Sequence, residues 1–203
     1  MSVVRKSRGA VVAYDPATRW RARAWALVAY LFVLAAVGAI VLFALQYQPV
    51  SAANFASQAA PQSDPKIVRV GYVSGGTFSF GFLLVNDGPL PVKIQRIHIT
   101  GRNQPLVPTR LETAGKRYAG SLGQGDPSLE KFLPFTLAGD DSRWVVVRTR
   151  FGNCGRLSEG AFEITQFQVT YSVLGLTKHA WVSLPKDIRV DSPPDFACPA
   201  AAA

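Results

Sequence analysis

An uninterrupted apolar stretch, residues 24–45, is the feature that most constrains this chain. It reads AWALVAYLFVLAAVGAIVLFAL and carries no charged side chain. As an α-helix, these 22 residues would extend over about 33 Å, enough to cross the roughly 30 Å hydrocarbon layer of a bilayer. The stretch therefore predicts one transmembrane helix that anchors the chain in membrane lipid.

Basic residues beside this stretch predict its orientation. Of the net charge of +9, a charge of +5 falls in residues 1–23, where Arg19, Arg21 and Arg23 precede the apolar stretch. The opposite flank, residues 46–63, has no charged residue. Because loops rich in Lys and Arg stay in the cytoplasm, we predict a single-pass cell-membrane protein with a basic cytoplasmic tail over residues 1–23 and an extracytoplasmic C-terminal domain. The same placement accounts for the basic charge without a nucleic-acid partner.

A cleaved signal peptide is the competing interpretation of the apolar stretch. Val50, Ser51 and Ala52 offer small residues where a signal peptidase would cut. The apolar part of a signal peptide is about 7 to 15 residues long, however, and this stretch has 22. The length therefore favours a retained signal-anchor.

Beyond the helix, the composition predicts a linker followed by one β-rich domain. Residues 46–64 are rich in Ala, Ser, Gln and Pro without hydrophobic periodicity, which is typical of a flexible linker. Residues 65–192 contain short alternating apolar runs separated by Gly, Pro, Asn and Asp. We predict an all-β two-sheet sandwich of immunoglobulin-like or fibronectin-like type with seven or eight strands, or a small closed barrel as the alternative. Residues 193–203 are predicted as a Pro/Ala-rich C-terminal tail.

Two details of strand pattern are specific enough to test. Residues 77–86 place four large apolar side chains on one face of a strand: Phe78, Phe80, Phe82 and Leu84. In the next strand the apolar alternation slips by one between Ile94 and Ile97. A β-bulge near Gln95 is predicted because it would keep both of these side chains inward.

The two cysteines, Cys154 and Cys198, lie in the segment that the orientation places outside the cytoplasm. An even number of cysteines in an oxidising compartment predicts a disulfide bond. Such a bond would join the C-terminal tail to the sandwich. A reactive thiol or a metal site is not favoured, because the sequence has no Cys-x-x-Cys and neither cysteine has a histidine near it in the sequence.

Residues capable of catalysis are scarce. The only imidazoles are His98 and His179, and each falls within a predicted strand. The sequence contains no recognisable nucleophile motif, phosphate loop or metal-ligand spacing, so it predicts no catalytic residue, no cofactor and no metal. An envelope hydrolase or metal-dependent enzyme that uses His98 or His179 with loop carboxylates is the alternative.

One basic surface is predicted on the strand that spans residues 143–151. Arg148 and Arg150 share a face of this strand, and Arg143 and Arg156 flank it. Such a stripe suits an anionic polymer, lipid headgroups or an acidic partner. The simpler interpretation, which we favour, is a solvated outer face whose arginines protect an edge strand from aggregation.

Taken together, the sequence predicts a membrane-anchored protein whose sandwich is a non-catalytic interaction or assembly module of the cell envelope. Its predicted partners are membrane lipid, through the one helix, and an envelope protein or polymer. The fold class alone does not identify that partner.

Overall fold

The computed structural model describes residues 16–58, 64–99, 106–118, 122, 126–152 and 161–192. The chain divides into two units, Met1–Tyr47 and Gln48–Ala203. We describe each unit separately.

In the described part of the first unit, residues 16–47, the chain forms one helix, α1, which spans Pro16–Gln46. Proline suits the first turn of a helix because its missing N–H has no partner there in any case. Within α1, the segment Arg23–Gln46 is long and apolar enough to cross a membrane, and its large apolar side chains are exposed. The predicted N-terminal apolar helix is therefore confirmed, with a length and composition that suit a membrane anchor and a signal sequence alike.

The second unit is built from ten strands in the part of the chain that the structure describes. In chain order these are β1 (Val50–Ser57), β2 (Ile67–Gly71), β3 (Thr77–Asn86), β4 (Val92–His98), β5 (Leu106–Ala114), β6 (Glu130–Lys131), β7 (Phe135–Leu137), β8 (Ser142–Phe151), β9 (Ala161–Val173) and β10 (Leu176–Asp191). They form two five-stranded sheets: sheet A in the order β1-β3-β8-β5-β6, and sheet B in the order β2-β10-β9-β4-β7.

The two sheets pack face to face around an aromatic core. Alternation along β3 turns Phe80 and Phe82 inward, and both are fully buried. Phe82 meets Phe167 of sheet B with 4.3 Å between ring centroids. The inward residues of β9 continue the pattern through Val169 and Tyr171, which are also fully buried. The predicted all-β sandwich is confirmed.

The predicted bulge in the fourth strand is also confirmed. The register between β4 and β9 shifts between Ile94 and Arg96, so Gln95 is the extra residue. Ile94 and Ile97 are both buried as a result. The same shift turns Arg96 and His98 to the outer face of sheet B, where both are exposed.

The structure differs from the sequence prediction in the predicted linker. Residues 50–57 form β1, an edge strand paired antiparallel with β3. Main-chain pairing holds this strand despite its small side chains, and Phe55 adds a stacked contact with Phe80 at 6.1 Å. A bulge at Asn54, where φ is 46°, interrupts the alternation that would have revealed the strand. Only residues 47–49 separate α1 from β1.

Smaller differences concern the edges of sheet A. The apolar pattern of residues 106–111 predicts a short edge strand, and in the structure this strand continues to Ala114 as β5. The sequence also predicts a short edge strand over residues 117–122, but Tyr118 and Leu122 lie outside the described strands. The two-residue strand β6 covers that edge. The predicted C-terminal tail, residues 193–203, lies outside the described residues.

Buried Asn86 joins two places where the chain crosses between the sheets. Its side-chain Nδ2 donates to the carbonyl oxygens of Leu90 and Ala138, each at 2.8 Å, and to that of Leu137 at 3.3 Å. Its main-chain oxygen accepts a hydrogen bond from the N–H of Asp140 at 3.0 Å. The β3–β4 turn and the β7–β8 turn are thereby held side by side.

Candidate functional site

The predicted basic surface is not a continuous exposed stripe in the structure. Arg148 and Arg150 do share the outer face of sheet A, but Arg148 is 8% exposed whereas Arg150 is exposed to solvent. Arg143 lies on the opposite face, with its guanidinium 4.9 Å from the centre of the Phe135 ring. Arg156 lies outside the described residues.

Arg148 is buried because it belongs to an ionic cluster. Its Nε donates to Glu112 Oε2 at 3.0 Å, and its Nη1 donates to Ser79 Oγ at 3.2 Å and to the carbonyl oxygen of Leu122. Glu112, which is 6% exposed, accepts a second bond from Arg110 Nε at 3.0 Å. The cluster thus neutralises its central charges within the protein, so Arg148 is not available to a partner at the surface.

Leu122 closes the outer face of sheet A above this cluster. Its carbonyl oxygen accepts a hydrogen bond from Gln58 Nε2 at 3.1 Å, and Gln58 Oε1 accepts from the N–H of Ser79 at 3.1 Å. Its side chain lies 3.5 Å from the point where Gly81 would carry a Cβ atom. This part of the face is therefore filled by the chain itself.

Tyr118 and Asp126 form a hydrogen-bonded pair near the ionic cluster. The Tyr118 hydroxyl donates to Asp126 Oδ2 at 3.0 Å, and its ring meets Trp144 edge-on at 6.2 Å. Burial first, and then the bond to Asp126, raise the pKa of Tyr118 to about 12. The pKa of Asp126 is lowered, chiefly by the hydrogen bond that it accepts from Ser128.

This raised pKa predicts a loss of stability in alkaline solution. In the unfolded chain Tyr118 ionises near its usual value of about 10, so above that pH the unfolded state binds fewer protons than the folded state. The contribution of Tyr118 is therefore complete below pH ~10 and is lost as the pH rises through about 12. We expect urea-unfolding free energies measured across this range to fall more steeply for the wild type than for Tyr118→Phe. Parallel curves for the two proteins would contradict this assignment.

The outer face of sheet B carries exposed side chains, in contrast. Adjacent strands align its side chains in rows: Trp181 with Gln168 and His98, and His179 with Thr170 and Arg96. We use the term sheet B face for the twelve outward side chains of these and the neighbouring rows: Lys93, Arg96, His98, Thr136, Gln166, Gln168, Thr170, Ser172, Thr177, His179, Trp181 and Ser183.

The twelve side chains of the sheet B face include two full positive charges, on Lys93 and Arg96, and no carboxylate. Carboxylates do occur farther along the same side of the sheet, where Glu163 and Asp191 both pair with Arg189. Within the sheet B face, Trp181 on β10 is 66% exposed, and the two positive charges lie on β4. The side chains of β9 between them are amides and hydroxyls, which both donate and accept hydrogen bonds.

The two histidines considered for catalysis both belong to the sheet B face, but on strands that β9 separates. Two interstrand spacings place their strands roughly 10 Å apart. His179 Nδ1 is hydrogen-bonded to Thr170 Oγ1 at 3.0 Å. Within the described ranges, no group of three or more His, Cys, Asp or Glu side chains is close enough to hold a metal ion.

The remaining predicted residues are placed as follows. Arg19, Arg21 and Arg23 all lie in α1, and the side chains of Arg21 and Arg23 are exposed. Cys154 and Cys198 lie outside the described residues. The bulge at Gln95 accounts for the outward position of Arg96 and His98. The sequence did not identify the sheet B face, because the pairing of distant strands creates this surface.

Comparisons with known proteins identify no family. No protein-family model matches the chain, and no curated protein matches it. Among solved structures, the VesB protease of Vibrio cholerae is 15% identical with a TM-score of 0.34, covering 62% of this chain and 30% of its own. The PapD-like domain 7 of human CEP192 is 14% identical with a TM-score of 0.32, covering 73% of this chain and 89% of its own. The chain thus spans less than a third of the protease.

Proposed function

We propose that this protein is a single-pass membrane protein whose extracytoplasmic β-sandwich is a non-catalytic interaction module of the cell envelope. The observation that carries the proposal is the contrast between the two outer faces of the sandwich. On sheet A, a buried ionic cluster and Leu122 occupy the surface. On sheet B, an exposed tryptophan, uncharged polar side chains and the cations Lys93 and Arg96 face solvent. The partner binds the sheet B face.

The orientation and the retained anchor are supported by charge and by the position of β1. Arg21 and Arg23 lie exposed at the start of the apolar part of α1, where the positive-inside rule expects cytoplasmic residues. A signal peptidase that cut after Ala52 would remove the first three residues of β1, which pair with β3. Cleavage there would cost part of an edge strand, so a signal-anchor is the more consistent interpretation.

A disulfide between Cys154 and Cys198 is part of this proposal, and it provides a test of orientation. On intact cells, we expect a membrane-impermeant maleimide to label the protein only after reduction, because both thiols are then exposed outside the membrane. Labelling only after the cells are broken open would place the sandwich in the cytoplasm. Labelling of intact cells without reduction would show that the thiols are free.

The interaction itself is tested by comparing two substitutions of equally exposed apolar residues. Trp181 is 66% exposed on the sheet B face, and Leu133 is 67% exposed on the segment between β6 and β7. We expect Trp181→Ala to abolish chemical crosslinking of the full chain to its envelope partner in membranes, and Leu133→Ala to leave it unchanged. Equal crosslinking by wild type and Trp181→Ala would overturn the assignment of this face.

A further inference from the structure

We propose that the sheet B face binds a carboxylate-bearing polysaccharide, a glycan of the uronic-acid class. This inference rests on the proposed function, since it names the partner chemistry of the same surface. Three parts of the face support it: the exposed Trp181, the uncharged polar centre on β9 and the basic side on β4.

The exposed tryptophan supplies the apolar platform. Trp181 is 66% exposed, and its neighbours in the adjacent row, His179 and Thr170, are hydrogen-bonded to each other at 3.0 Å. An aromatic ring lying open on a β-sheet suits a flat ligand with an apolar face, and the carbon–hydrogen face of a pyranose ring is such a ligand. Polyol phosphate chains have no comparable face, which favours a polymer of sugar rings.

The polar centre supplies uncharged hydrogen-bonding groups. Gln166, Gln168, Thr170 and Ser172 are the residues that β9 contributes to the sheet B face, and each carries both a donor and an acceptor. Sugar hydroxyls also carry both, so amides and hydroxyls satisfy them in either direction. Charged side chains at these positions would instead impose one direction and a larger desolvation cost. The centre thus matches a hydroxylated ligand.

The β4 side supplies charge complementarity. Arg96 is in the same row as His179 and Thr170, and Lys93 is in the row of Ser172 and Thr177. The sheet B face contains no carboxylate that could pair with these cations. The planar guanidinium of Arg96 can form two parallel hydrogen bonds with the carboxylate of a ligand. The strands that carry Trp181 and Arg96 are roughly 10 Å apart, a span comparable with a disaccharide. One sugar on Trp181 would therefore place the acid of a neighbouring sugar near Arg96.

Calorimetric titration of the full chain in nonionic detergent with hyaluronan oligosaccharides tests this proposal. We expect saturable binding that weakens with added salt, as ion pairing at an exposed face requires. Trp181→Ala and Arg96→Gln are each expected to weaken binding by about tenfold or more, whereas Leu133→Ala should match the wild type. Unchanged melting temperatures would show that the variants are folded.

The choice of competing ligands separates this class from others. Neutral chitin oligosaccharides offer the same ring faces without the acid and should bind at least about tenfold more weakly, with no loss on Arg96→Gln. Tighter binding of a glycerol phosphate polymer or of single-stranded oligothymidylate would overturn the uronate assignment. So would hyaluronan binding that survives Trp181→Ala.

If hyaluronan fails to bind but Trp181→Ala still abolishes partner crosslinking, this inference falls and the proposed function stands. If neither effect is seen, both fall.

Discussion

Glu112→Gln is expected to lower the free energy of unfolding by about 3 kcal/mol, because it removes the buried carboxylate that pairs with the guanidinium of Arg148. The two side chains are only 10% and 8% exposed, and a bond of 3.0 Å joins them. Ser79 and Leu122 also accept hydrogen bonds from Arg148, but they are neutral and do not offset its charge. Urea denaturation of the isosteric variant measures the loss directly.

The control for this prediction is the other ion pair on the same carboxylate. Arg110 is 58% exposed in its side chain, so Arg110→Ala should cost less than ~1 kcal/mol. The double variant Glu112→Gln with Arg148→Met should be less destabilised than the sum of the single variants, because no buried charge then remains unpaired. Additive effects in this cycle, or a Glu112→Gln effect as small as that of Arg110→Ala, would contradict the burial argument.

Local pattern predicted the parts of the fold that depend on one strand at a time. The four inward residues of β3 and the bulge at Gln95 follow from alternation, and both were found where they were expected. The strand β1 was not predicted because it is stabilised by main-chain pairing with β3. A sequence made mostly of Ala, Ser and Asn does not indicate such pairing. Edge strands of this kind are recognisable only once their partner is known.

The ionic cluster and the sheet B face could not be predicted from the sequence either, because each brings together residues of different strands. Glu112 and Arg148 are 36 residues apart in sequence, and only the β5–β8 pairing places them together. Alternation correctly put Arg148 and Arg150 on one face, but it did not indicate that Leu122 would lie over the first of them. Likewise, the outward residues of β4, β9 and β10 become one surface only through the order of sheet B. The sequence predicts on which face of a strand a side chain lies, and the order of the strands in the sheet determines which other residues it contacts.

Asn86→Ala is expected to destabilise the sandwich by about 3 kcal/mol, although the sequence suggests only a turn residue at this position. The substitution removes the side-chain donor that the carbonyl oxygens of Leu90, Leu137 and Ala138 share. Each of these hydrogen bonds contributes about 0.5 to 1.5 kcal/mol, and relaxation of the turns would recover only part of the loss. Relaxation is restricted because Gly139 already packs tightly, with a hypothetical Cβ only 2.7 Å from the Pro89 carbonyl oxygen.

Hydrogen exchange distinguishes this local role from a general loss of packing. In Asn86→Ala, the amide of Asp140, which donates to the Asn86 carbonyl oxygen at 3.0 Å, should exchange faster at denaturant concentrations that leave the core amides of β9 protected. Asp87→Ala is the matched control, since Asp87 is exposed and keeps its main-chain bond to Pro49 at 2.8 Å. We expect it to cost less than ~0.5 kcal/mol. Equal losses for the two variants would mean that the turn conformation stabilises the crossing, and that the side chain of Asn86 does not.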